Sequence, residues 1–81
     1  MSRSDKALAR AKNNPHNVKW SDLEALCKRY FGSPIRTRGS HVMFQLPWDD
    51  DPLLNIQPRG KQAKPEQVKQ AVRAIERLLG Q

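Results

Sequence analysis

The sequence predicts an α+β domain in the order α-α-β-β-β-α, with three antiparallel strands, helices packed on one sheet face and the other face bare. Three observations carry this. Apolar residues recur at helical spacing near both ends, they alternate with a period of two between Ile35 and Gln57, and Gly or Pro stands wherever the period changes. With 81 residues there is room for one small core, and 37% hydrophobic residues are enough to build it.

The elements follow in order. Residues 4 to 13, SDKALARAKN, place Ala7, Leu8 and Ala11 on one helical face and stop at NNP, so residues 1 to 17 read as a helical extension and a linker. SDLE at 21 to 24 reads as a capping box, the Ser21 hydroxyl accepting from the Glu24 amide while the Glu24 carboxylate reaches back. It opens a helix with Leu23, Leu26, Cys27 and Tyr30 on one stripe, ended by Gly32 and Pro34. Ile35 and Thr37 then face one way and Arg36 and Arg38 the other. Beyond Gly39 and Ser40 the alternation resumes, Val42, Phe44 and Leu46 against His41, Met43 and Gln45, as in a hairpin with one buried face. A bulge at Gly39 and Ser40 would turn His41 to the other side. PWDDDP breaks the pattern, and LLNIQ forms a third strand that buries Leu54 and Ile56 and exposes Asn55 and Gln57. PRGKQAK is a basic loop leading to Pro65, which opens a last helix with Val68, Ala71, Val72, Ile75, Leu78 and Leu79 on its apolar side.

Charge and cysteine content narrow the function classes. The net charge of +7 gathers at the two ends: residues 1 to 19 and 52 to 81 carry +4 each and residues 20 to 51 carry −1. Such a chain attracts phosphate backbones and acidic proteins. One cysteine allows no internal disulfide, no apolar run is long enough to span a bilayer, and the N-terminus has no apolar signal core, so the expected setting is the reducing cytoplasm, away from membranes. Asp49, Asp50 and Asp51 read as a solvated turn, because they lack the alternate spacing of a calcium loop. Trp48 beside them could stack on a base, anchor a partner or cover the edge of the core. Cys27 lies on its helix's apolar stripe and reads as core.

On this alternation the bare face carries Arg36, Arg38, His41, Asn55 and Gln57, with Arg59, Lys61 and Lys64 at its rim, a set of cationic and hydrogen-bonding groups suited to phosphate contacts. Imidazole is a natural proton carrier for RNA cleavage, since it can take the proton of a 2′-hydroxyl as that oxygen attacks the adjacent phosphorus. Arg or Lys nearby would stabilise the charge on the phosphoryl oxygens, and no metal or cofactor is required. The alternative is that His41 only starts a strand or caps a turn. His16 lies in the linker NNPHNVKW and reads as uninvolved.

The segment RGSHVMF, Arg38 to Phe44, followed by a strand, the loop RGKQAKP and the closing helix EQVKQAVRAIERLL, resembles the HicA toxin family, bacterial RNA-cleaving toxins with a fold similar to the double-stranded RNA-binding domain. The resemblance covers about residues 18 to 80, taking 18 to 81 as the domain, and Gly-Ser-His is its most specific part. It implies an mRNA interferase with His41 as catalytic histidine and Gly39 letting the backbone approach closely beside it; with the basic groups of the bare face and its rim, the expected RNA-facing set is Arg36, Arg38, Gly39, Ser40, Arg59, Lys61 and Lys64. It also implies a HicB-type antitoxin partner. The second histidine that many members carry after the third strand has no counterpart in NIQPRGKQ. The donor to the leaving 5′-oxygen is therefore open among Lys61, a rim arginine and water. Two other classes fit the same charge pattern: a non-catalytic RNA-binding module, and an adaptor whose basic face meets an acidic protein.

Overall fold

The alternation in the middle of the chain resolves into a three-stranded sheet, and the stripes at its ends into helices that cover one side of it. The computed structural model describes residues 3 to 80. Helix α1 (Arg3–Asn13) and a 3-10 turn (Pro15–Asn17) precede α2 (Trp20–Phe31). Strands β1 (Arg36–Arg38), β2 (His41–Gln45) and β3 (Leu53–Ile56) follow, then the short pair β4 (Pro58–Arg59) and β5 (Gln62–Ala63), and α3 (Pro65–Leu79). The main sheet is antiparallel in the order β1-β2-β3. The expected α+β layout, helices on one face, is the one found.

The alternation of β2 and β3 sets the layers. Val42 and Phe44 pair with Ile56 and Leu54 across the strands, and all four are buried against the helices, while His41, Gln45, Leu53 and Asn55 are exposed on the other side. From the helices come Leu23, Leu26 and Cys27 of α2 and Val68, Ala71, Val72, Ala74 and Ile75 of α3. Among the described residues no polar or charged side chain is buried, so the core is apolar throughout and any chemistry belongs to the surface. No helix there is long and apolar enough to cross a membrane.

Several local expectations are corrected. Ser21 does not cap α2, which starts two residues earlier, at Trp20, with Lys19 in the capping position and no side-chain cap. The cause is tertiary: the Trp20 amide donates to the Lys61 carbonyl (2.9 Å) and the Ala63 amide to the Val18 carbonyl (2.9 Å), so the β5 segment sets where the helix begins. PRGKQAK is not a plain loop but the hairpin β4–β5, with Arg59 paired to Gln62 and Gly60 at φ +64° at the turn. Ile35 and Leu79 stay more than half exposed, because β1 is an edge strand beyond the helical cover and Leu79 ends α3. The helical extension α1 lies against α3: Ala11 is buried in the shared core, and Lys12 Nζ meets Glu76 Oε2 of α3 at 2.6 Å.

Candidate functional site

The β1–β2 hairpin has a two-residue connection, Arg38 standing opposite His41 with Gly39 and Ser40 between them. Gly39 has φ +60° and among the described residues no non-glycine residue has positive φ, the pattern of a hairpin turn with glycine at its first central position. No bulge intervenes, so the register runs unbroken: Thr37 opposite Val42, and Arg36 opposite Met43, which in turn faces Asn55 on β3. Side chains directly opposite share a face. Because Val42 and Phe44 must point into the core, the Arg38–His41 pair and the Arg36–Met43–Asn55 row are both driven outward.

These five side chains line one open depression of about 400 Å³ on the bare face. Met43, half-buried, forms its apolar part, and the other four are exposed. Among the described residues no hydrogen bond or ion pair engages the side chains of Arg36, Arg38, His41 or Asn55, whose backbones are paired in the sheet. Two guanidinium groups therefore face solvent beside an imidazole with no ion pair to an acid among the described residues, a concave cationic site able to hold phosphate. The neighbouring amide on this face is already committed: Gln45 Nε2 donates to the carbonyls of Leu46 (3.3 Å) and Pro52 (3.2 Å).

The remaining expected residues divide. Gly39 and Ser40 form the exposed rim of the hairpin, next to His41. Arg59 and Lys61 belong to the separate β4–β5 hairpin and Lys64 caps α3, and none of the three lines the depression. Gln57 lies just past β3, where its backbone N–H donates to Gln67 Oε1 at 2.7 Å and ties the strand end to α3. Met43 is the lining residue that the expected site left out. The signal for it was the same alternation that turned His41 outward.

Burial pushes the Cys27 thiol up to about 12, with the nearby Glu24 charge adding to the effect. Asp50 receives two hydrogen bonds from Arg77 (2.9 and 3.0 Å), which hold its carboxyl below the usual carboxylate range. The same guanidinium lies 4.2 Å from the centroid of the Trp48 ring. Trp48 thus covers the core edge with one ring face occupied by Arg77, and Asp50 of the acidic turn serves as the counter-ion. No protein-family model, curated protein or solved structure matches this chain.

Proposed function

We propose that this protein is a HicA-like endoribonuclease toxin of the bacterial cytoplasm, cleaving mRNA at the Arg38–His41 end of the bare sheet face without a metal ion and restrained by a HicB-type antitoxin. The observation that carries the reading is the pairing of an exposed histidine directly opposite an arginine that no acid among the described residues engages, beside a second such arginine, in an open depression. His41 takes the proton of the 2′-hydroxyl. The 2′-oxygen forms its bond to phosphorus, the bond from phosphorus to the 5′-oxygen breaks, and water protonates the departing 5′-oxygen. Arg38 donates to the non-bridging phosphoryl oxygens as charge builds on them. Lys61 does not serve as the acid in this scheme, since it is on the other hairpin. Arg59, Lys61 and Lys64 hold flanking phosphates.

A second reading, a non-catalytic RNA-binding module, is favoured by one observation: among the described residues no group hydrogen-bonds to the His41 imidazole to orient it. Expression separates the two. Induction of the wild type should arrest growth and degrade total RNA, and His41→Ala, confirmed soluble and folded by circular dichroism, should do neither. Intact RNA on induction of both proteins favours the binding module.

A further inference from the structure

We propose that the Arg36–Met43–Asn55 row is a guanine-reading pocket, selecting the base next to the phosphate held by Arg38 and His41. This deepens the reading of the face as an RNA site and rests on it. The register puts the three residues directly opposite one another on adjacent strands, Met43 in the middle. Two strand spacings separate Arg36 from Asn55, about 10 Å of backbone, a width that takes a base with a hydrogen bond at each edge. Along the strands the row is two residues from the Arg38–His41 pair, about 7 Å, within the reach of one nucleotide.

The chemistry of the three side chains chooses the base. Met43 offers a half-buried, polarisable surface for a ring to lie against. Arg36 can only donate, so it matches an edge with two acceptors, as guanine has in O6 and N7, and it opposes the amino group of adenine or cytosine. Asn55 on the far side offers its Oδ1 to the N1–H and N2–H₂ donors of guanine's opposite edge. Its carboxamide makes no hydrogen bond among the described residues, whereas Gln45 on the same face is spent on two backbone carbonyls. Neither pyrimidine presents two acceptors on one edge and two donors on the other.

The test is equilibrium binding of the full chain to 2′-O-methyl hexanucleotides, whose blocked 2′-oxygen prevents cleavage, comparing a uridine oligomer with versions carrying one central guanine, adenine or cytosine. The guanine oligomer should bind at least about tenfold more tightly than the others. Asn55→Ala and Arg36→Lys, each folded by circular dichroism, should reduce that ratio to below about twofold, the lysine variant doing so with the charge retained. Equal binding of all four oligomers, preference for another base, or a guanine preference that survives both substitutions would overturn the pocket. Guanine selection by a wild type that cleaves no RNA would remove the catalytic reading and keep the pocket. Cleavage without base preference would do the reverse.

Discussion

His41 reaches solvent because Val42 and Phe44 must reach the core, and in β2 one requirement entails the other. Its removal should therefore leave folding intact: His41→Ala is expected to keep the wild-type urea midpoint while RNA cleavage falls by about 10²–10⁴-fold, the usual contribution of a positioned proton carrier. Arg38 acts through charge as well as position, so replacing it with Ala should weaken binding to any RNA and lower the salt dependence by about one unit of slope, read from affinity between 50 and 200 mM salt. At the other extreme is Cys27. It is fully buried with its thiol pushed up to about 12, so it should react with a disulfide reagent only as fast as the chain opens, and labelling in native buffer should be slower by orders of magnitude than in urea.

At the level of elements, two hairpins share one device, Arg-Gly followed by a polar residue and a strand start. RGSH spans Arg38–His41 and RGKQ spans Arg59–Gln62, each with glycine at φ near +60°. Nothing lies within 4 Å of where a Cβ on Gly39 would be, so a side chain there meets only backbone strain. Gly39→Val should cost about 1–2 kcal/mol in urea unfolding and loosen the Arg38–His41 pairing, lowering cleavage beyond what the lost stability explains. The first hairpin was legible because five residues of alternation follow it. The second was not, because its strands are two residues each and too short to show a period, although the glycine placement was the same. The start of α2 departs from its local capping signal for a related reason: hydrogen bonds from Trp20 to Lys61 and from Ala63 to Val18, partners more than forty residues apart in the chain, outweigh it.

The Trp48 turn adds a pH response at this scale. Arg77 depresses the Asp50 carboxyl, so the folded chain binds fewer protons there than the unfolded one. The contact is then complete above the ordinary aspartate range and is lost as pH falls through the lowered value, below about pH 4. Tryptophan emission should change across that acid range in the wild type, and Asp50→Asn should abolish that part of the change.

For the molecule as a whole, one small core supports everything. Phe44, Leu23, Ile56, Ile75, Val68 and Cys27 are its largest fully buried side chains, and Phe44 is three residues from His41 on the same strand. Phe44→Ala should cost about 3–5 kcal/mol. That is a large share of the roughly 4–12 kcal/mol available to a chain of this size, so urea unfolding of this variant should begin near zero denaturant. The packing of α1 on α3 was only half legible: Ala7, Leu8 and Ala11 announced an apolar face, but nothing local said that it closes over the last helix. The candidate site divides along the same line. Its outward residues followed from alternation, whereas the union of Arg36, Met43 and Asn55 in one row depended on two registers, β1 on β2 through the bulge-free turn at Gly39 and β2 on β3 through the pairing of Val42 and Phe44 with Ile56 and Leu54.

The most direct measurement of the central claim is RNA cleavage by purified protein, free of any antitoxin and in stoichiometric excess over single- and double-stranded substrates, with chelator present, wild type against His41→Ala. Cleavage by the wild type and none by the variant, both folded, is the predicted result. Intact RNA with the wild type, or equal cleavage by both proteins, would contradict it.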